Sequence, residues 1–479
     1  MHFLDLAVIL AYLAGITWFG AHFRTGEKGL REYFLGGRVA PWWAIALSIV
    51  SAETSTLTIV GTPALAFTGN MGFLQLVLGY LLARILISAL FLPHYFRGEM
   101  FTAYELMRRR FGERIRKLTA AIFLVTRALA EGVRVFAVSL VISIVLGTGE
   151  MASIVLIAGL TLFYTFEGGM TAVIWTDVVQ MCLYVFGAVL SLVMILGKIP
   201  GGWPHAAAVA GAAHKFAIFD FHFAPTMEFL ARPYTFWAGI AGGCFLTTAS
   251  HGTDQLMVQR LLSARDQRDS RKALLASWAL VAFQFTLFLL IGVLLWVYYG
   301  GKTALAADRI YPQFLWSSLP PGLAGLAIAA ILAAAMANLS AALNALSSTV
   351  VVDFLGGAAG SSGEAGAMRR AHLATIAWAA VLVTIAYAAR HSRSVLEAGL
   401  TIAAIPSGAL LGVFLLGVLT RRPGEWAAIA GVVAGLTAAL VVRFETPVAF
   451  TWYVMIGATV TFSCGLAAWW LGRALARMR

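Results

Sequence analysis

The chain has 479 residues, of which 60% are hydrophobic and 12% charged, and its mean hydropathy is +0.85. That composition excludes an ordinary soluble globular protein. The net charge of +12 does not call for a nucleic-acid partner, because the basic residues stand in short loops beside apolar runs, where anionic lipid headgroups neutralise them. Cys182, Cys244 and Cys464 all fall in apolar runs, with no CxxC pairing and no His at zinc spacing, which argues against a disulfide frame or a zinc site.

Roughly 20 apolar residues span a bilayer as a helix, and about 13 such stretches follow one another here. The fold class read from them is an all-α polytopic membrane protein. They begin near residues 2, 42, 71, 118, 151, 171, 234, 273, 321, 371, 395, 425 and 447. The first lacks a basic n-region (MHFLD) and a cleavage site, and Arg24, Lys28, Arg31 and Arg38 follow it, so it reads as an uncleaved leading helix over 1–23. Alternating the loops between the two sides puts 23 of the 34 Lys+Arg on one side and 8 on the other. Lys and Arg accumulate in cytoplasmic loops, so the N-terminus is expected outside and the C-terminus inside.

After Gly36-Gly37, which reads as a turn, and the interfacial pair Trp42-Trp43 comes Ser48 to Gly69, the least membrane-like of the long runs. It holds a carboxylate at Glu53, hydroxyls at Ser51, Thr54, Ser55, Thr56 and Thr58, and Gly61-Thr62-Pro63, a sequence unfriendly to a helix. A charge at that depth is costly unless it faces a cavity or a partner, and broken backbone is tolerated only where it lines a cavity or is packed in protein. The expectation is a discontinuous helix forming half of a solute and ion site.

On the fourth stretch Arg127, Glu131 and Arg134 share one helix face. They fit either an ion network joining helices or, with one net positive charge, an attractor for a carboxylate solute; Arg84 is expected to snorkel or to pair with them. Residues 201–233, with GGWPH and FDFHFAP, are long enough to cap the outer face. The seventh stretch is polar and interrupted, from Gly242-Gly243 through Thr247, Ser250 and His251 to Gln255; His251 fits a titrating role or plain packing. Two interrupted stretches in corresponding halves point to a transporter site near the midplane. Gly356 to Gly366 reads as a flexible linker, and Gly408, Gly412 and Gly417 after Pro406 as close packing or a hinge.

Several motifs, in order and over some 320 residues, resemble the sodium:solute symporter family. They are Glu32-Tyr33-Phe34-Leu35-Gly36-Gly37-Arg38, Thr102-Ala103-Tyr104-Glu105, Arg110-Phe111-Gly112, the run from Glu167 to Gln180 (EGGMTAVIWTDVVQ), Gln259-Arg260, and Ala333 to Asp353. The resemblance implies a LeuT-type core of two inverted five-helix repeats, over 41–200 and 234–420, with one leading helix, an outside loop over 201–233, and two trailing helices with a cytoplasmic tail over 421–479.

It also implies a sodium ion between the broken second helix and the ninth, at positions matching Ser51 and Thr54, through backbone carbonyls freed by unwinding, and Ala334, Ala337 and Asn338. Two adjacent hydroxyls are usual where this chain has Ala337 and Asn338, so one ligand is missing and one becomes an amide. A second sodium, found in some members, would match Asp177 and Ser340, with Ala337 and Ala341 supplying no side-chain ligand. Glu53 falls where one branch of the family has an aspartate and another an asparagine. It is open to sodium or proton coupling, contact with a cationic solute, or a hydrogen bond to freed helix N–H groups. Thr58, Thr247, Ser250 and His251 match solute-contacting positions of the sugar-carrying branch, but its aromatic gate is absent, which argues against a sugar.

The function implied is a symporter, in a plasma or bacterial inner membrane, coupling sodium influx to uptake of a small organic solute by alternating access, as a monomer. Proton coupling through Glu53 and a non-transporting sensor or accessory protein are the alternatives. No HExxH, GxGD-like pair or GxSxG supports an enzyme.

Overall fold

The computed structural model describes residues 2–23, 29–146, 148–302, 305, 307–356, 363–389 and 395–478, and every regular element among them is helical. Helix α1 (Phe3–His22) is followed by the short α2 (Leu30–Leu35) and one tighter turn, Gly36–Arg38. Gly36 and Gly37 have φ of 58° and 60°, which glycine adopts without Cβ strain, and the chain swings through 110° into α3 (Trp42–Glu53).

The helical path then breaks at Thr54-Ser55, beside the carbonyls that the resemblance implies are freed by unwinding, and not at Gly61-Thr62-Pro63. Thr54 (φ −86°, ψ 108°) and Ser55 (φ −100°, ψ 166°) are extended, whereas Gly61-Thr62-Pro63 lies inside the next helix, α4 (Thr56–Thr68). The reason is local: Ser55 and Thr58 form a capping box that starts a new helix immediately after the break. Helix α4 passes through Pro63, and its backbone there lies against a glycine, Gly292, whose added Cβ would stand 2.2 Å from Pro63 O.

Helix α5 (Leu74–Leu86) runs through a widened turn at Ile87–Phe91 into α6 (Leu92–Tyr95), and α7 (Tyr104–Arg110) leads to α8 (Glu113–Leu146). The predicted fifth and sixth stretches form one path, α9 (Glu150–Lys198), kinked at Gly169 (φ 55°, ψ −147°), where a Cβ would meet Tyr33 O at 2.5 Å. In the 201–233 segment lie α10 (Gly202–Ala212) and α11 (Met227–Ala231). Between them Lys215 Nζ donates to Phe67 O and Gly69 O, at 2.7 and 2.8 Å, fastening this segment over the end of α4.

The second interrupted path has a widened turn at Ala238–Gly242, then α12 (Gly243–Gly252), a break at Thr253-Asp254, and α13 (Gln255–Leu262). Asp254 caps α13 by accepting from Leu256 N at 2.9 Å. Then come α14 (Gln267–Tyr298), α15 (Ala307–Ser318), α16 (Leu323–Thr349) with a last widened turn at Val350–Phe354, α17 (Gly363–Ala389), α18 (Val395–Leu419), α19 (Glu425–Glu445) and α20 (Phe450–Met478). Of the predicted linker, residues 357–362 lie outside the described residues.

Among the described residues eight helices are long and apolar enough to cross a membrane, or nine if the bent Leu30–Arg38 and Trp42–Glu53 pair is one span; Thr58–Thr68, Glu150–Phe163 and Ile405–Leu419 are shorter apolar helices. The centre is α16, almost wholly buried and packed on α1, α3, α8 and α9. Its alanines let neighbouring backbones approach, which drives helix association in lipid where no hydrophobic force remains. Buried Asp5 of α1 accepts from Gly322 N and Gly325 N at 2.7 and 2.9 Å, capping the positive end of α16. The last three helices close on small residues in the same way: a Cβ on Gly412 would stand 2.4 Å from Thr461 Cβ, and α18 runs through Pro406 without a break.

Candidate cation and solute site

The break between α3 and α4 faces α16. Thr54 O accepts from Asn338 Nδ2 at 2.6 Å, and the same nitrogen donates to Ala334 O at 3.0 Å. The Thr54 hydroxyl donates to Val50 O and accepts from Gln284 Nε2 of α14 at 2.7 Å. Ser51 is fully buried, and the Tyr184 hydroxyl of α9 faces Ser51 and Thr54. Ser340 Oγ donates to Ala337 O at 3.0 Å, so Ala337 takes part only through its backbone. Five predicted positions, Ser51, Thr54, Ala334, Ala337 and Asn338, thus lie on the two elements that meet at the break, and Gln284 and Tyr184 join them unforeseen.

Glu53, the last residue of α3, does not reach the freed N–H groups of α4, where Ser55 and Thr58 already serve. Its Oε2 accepts from Arg84 Nη2 at 2.8 Å and lies 3.3 Å from His251 Nε2. His251 in turn lies 2.9 Å from Ser250 Oγ through Nδ1, and Ser250 Oγ contacts Thr247 O at 3.4 Å. Arg84 therefore pairs with Glu53, not with the fourth stretch. It is fully buried, and its Nε donates to Ser277 Oγ at 3.0 Å. With Nη1 also donating to Tyr80 O at 3.4 Å, this buried guanidinium has one carboxylate and two further acceptors, the condition under which an interior charge is sustained.

Asp177 lies on the other side of α3. Its Oδ2 accepts from Arg260 Nη2 at 2.7 Å and from Ser48 Oγ at 2.5 Å, while its Oδ1 is buried with no hydrogen-bond partner. Arg260, counted from the sequence among the lipid-facing cations of a cytoplasmic loop, is only 1% exposed and belongs to this core. The signal was its place in α13, on an amphipathic turn after a break, and only the fold shows which carboxylate it meets.

Arg127, Glu131 and Arg134 do come together: Glu131 Oε2 lies 3.9 Å from Arg127 Nη1 and 3.0 Å from Arg134 Nη1. The expected net positive charge is cancelled, however, by Asp254 at the second break, 2.8 Å from Arg127 Nη2. Glu131 and Arg134 line a cavity with Ser55, Val138 and Asn338, beside the break in the first path. Thr58 lies one turn into α4, its Oγ1 accepting from Ser55 N at 3.3 Å. Further along the bundle, Asp353 Oδ1 accepts from Arg116 Nε and Thr102 Oγ1 at 2.7 and 3.0 Å, joining two of the sequence motifs.

A wholly helical bundle in which two interrupted paths enclose a polar centre, each with its own capped break, is a LeuT-like membrane transporter. The chain belongs to the sodium:solute symporter family, whose profile matches residues 33–435. The sodium/sialic acid symporter SiaT of Proteus mirabilis is 28% identical over 468 residues, 95% of this chain and 92% of that one. Sodium-coupled monocarboxylate transporter 2 of Bos taurus is 28% identical over 484 residues, 96% and 75% of the two chains, and the human sodium/iodide cotransporter 28% over 451, 91% and 68%. Among solved structures, the substrate-bound outward-open state of a Na+-coupled sialic acid symporter superposes with a TM-score of 0.87 at 27% identity, covering 98% of each chain. A nucleobase-cation-symport-1 family transporter in a closed conformation, 14% identical with a TM-score of 0.62 over 95% of this chain and 96% of that one, shares the fold. The protein is a multi-pass membrane transporter, not an enzyme.

Proposed function

We propose that this protein is a secondary active symporter that couples sodium influx to the uptake of a small anionic organic solute by alternating access. The observation that carries the reading is the convergence at one break of a freed carbonyl oxygen, the carboxylate of Glu53 paired with Arg84, and a cavity lined by an arginine. Hard cations take oxygen ligands, and unwound carbonyls supply them in the membrane interior. Sodium is assigned to the carbonyls of Ser51, Thr54 and Ala334 with Asn338, and a second ion to the unpartnered Oδ1 of Asp177 with Ser340. The solute is assigned to the side of the break where Ser55 and Arg134, whose guanidinium uses Nη1 on Glu131, line a small cavity, with Thr58 one turn further along α4. Sialic acid, monocarboxylates and iodide, the cargoes in the names of the similar carriers, are all anions. Glu53, clamped between Arg84 and His251, ties the two interrupted paths together and couples their motion.

The working form is a monomer of thirteen spans, with repeats over 41–200 and 234–420, the N-terminus outside and the C-terminus in the cytoplasm. Uptake of radiolabelled sialic acids and monocarboxylates into proteoliposomes, under imposed sodium or proton gradients, tests the reading. Accumulation driven by an inward sodium gradient is expected; accumulation driven by protons alone, or binding without flux, would overturn it.

A further inference from the structure

Two of the oxygens assigned to sodium already have a common partner. Thr54 O, released where α3 ends, and Ala334 O, on α16, both accept from Nδ2 of Asn338, at 2.6 and 3.0 Å. Asn338 is 3% exposed, so these bonds form where water does not compete. Carbonyl oxygens only accept, so the end of the amide facing two of them is the NH2 end. What those oxygens meet is therefore a pair of positively polarised hydrogens at the place a cation would occupy. The neighbouring charges agree: Glu53 is matched by Arg84 and Asp177 by Arg260, so neither carboxylate demands a cation at this point.

We propose that the Asn338 amide is a tethered stand-in for the cation. In the ion-free carrier it fastens the break to α16. A sodium ion reaches Thr54 O and Ala334 O only by displacing Nδ2, after which the turned amide offers Oδ1 to the ion. The assignment rests on the symport reading and makes Asn338 the residue that sets the affinity for sodium. A hydroxyl at this position would have a shorter reach and a single hydrogen, and could not hold both carbonyls at once. With the amide, ion binding must first break two buried hydrogen bonds, which weakens it.

The test compares the full-length protein with Asn338→Ser, and with Asn338→Thr as the second variant should the first not fold. Two titrations with sodium at constant ionic strength, balanced by choline, are read: the thermal unfolding temperature in detergent and the half-saturating sodium for uptake in proteoliposomes. Replacing the amide by a hydroxyl is expected to lower the half-saturating sodium about tenfold, the equivalent of one to two net hydrogen bonds. It is also expected to lower the unfolding temperature in sodium-free buffer, where the stand-in is lost. Half-saturating sodium that is unchanged or raised in the hydroxyl variants would overturn the inference, since the amide would then be a bystander or a plain ligand. Wild-type protein without sodium-dependent uptake would overturn the symport reading instead. The thermal titration still decides the present inference in that case: sodium stabilising the variant more than the wild type upholds it, and equal shifts sink it.

Discussion

Arg84 carries a full charge with no exposed surface, and what sustains it is the single carboxylate of Glu53 with the hydroxyl of Ser277. Removing one partner of a buried pair leaves the other uncompensated, which typically costs more than replacing both. Arg84→Met is expected to destabilise the protein by about 3 kcal/mol in chemical unfolding. The Arg84→Met/Glu53→Gln double variant should lose less than the two singles added together, and strict additivity would show that the pair is not coupled. Glu53 was legible in the sequence because a carboxylate in an apolar run needs a reason to be there. Its partners were not: Arg84 is 31 residues away, and nothing in the chain distinguishes it from Arg127 or Arg134. The same holds for Arg260, whose neighbours in sequence are those of a surface loop and whose neighbours in space are Ser48 and Asp177. At the cavity proposed to adjoin the solute, Arg134→Gln is expected to raise KM for an anionic solute by at least tenfold with little change in maximal rate, because it removes charge attraction from ground and transition states alike. A fall in maximal rate at unchanged KM would place Arg134 outside the solute site.

Among the elements, the breaks are what the fold depends on. The first is visible as a disturbance between Ser48 and Gly69, with two candidate places for it: Gly61-Thr62-Pro63, because glycine and proline are the strongest breakers, and the Ser51 and Thr54 carbonyls that the family resemblance implies are freed by unwinding. In the folded chain the capping pair Ser55 and Thr58 decides it, and α4 continues through Pro63, packed there against Gly292. Gly169 has no such tolerance. Its φ of 55° with ψ of −147° is open essentially to glycine alone, and a Cβ would stand 2.5 Å from Tyr33 O. Gly169→Ala is therefore expected to abolish folded protein at the membrane, read by size-exclusion of the detergent-solubilised chain; a monodisperse variant with wild-type thermal stability would contradict this. Lys215 does for α4 what a C-terminal cap does for a soluble helix, closing two end carbonyls over Trp296. Lys215→Met keeps the stem and loses both bonds, and should lower stability by about 2 kcal/mol in chemical unfolding.

For the whole molecule, the positive charge on alternate loops predicts which way the bundle sits in the lipid. In a chain freed of Cys182, Cys244 and Cys464, a cysteine at Gly211 should react with a membrane-impermeant maleimide in intact cells, and one at Arg473 only after permeabilisation. The reverse pattern would invert the topology.

Composition alone settled that the chain is a helical membrane protein, since the bilayer rewards long apolar runs wherever they fold, and hydropathy needs no partner to be read. The order of the motifs settled the family, because it is a property of the chain and not of contacts. What only the tertiary structure decided is which polar groups meet: Glu53 with Arg84 and His251, Asp177 with Arg260, Asp254 with Arg127, and the amide of Asn338 with the carbonyls of Thr54 and Ala334. Apart from the bond of Asn338 to Ala334, one helical turn back, each of these pairings joins residues far apart in sequence, and in an interior without water each polar group is held to whichever partner the packing of the apolar surfaces brings within reach.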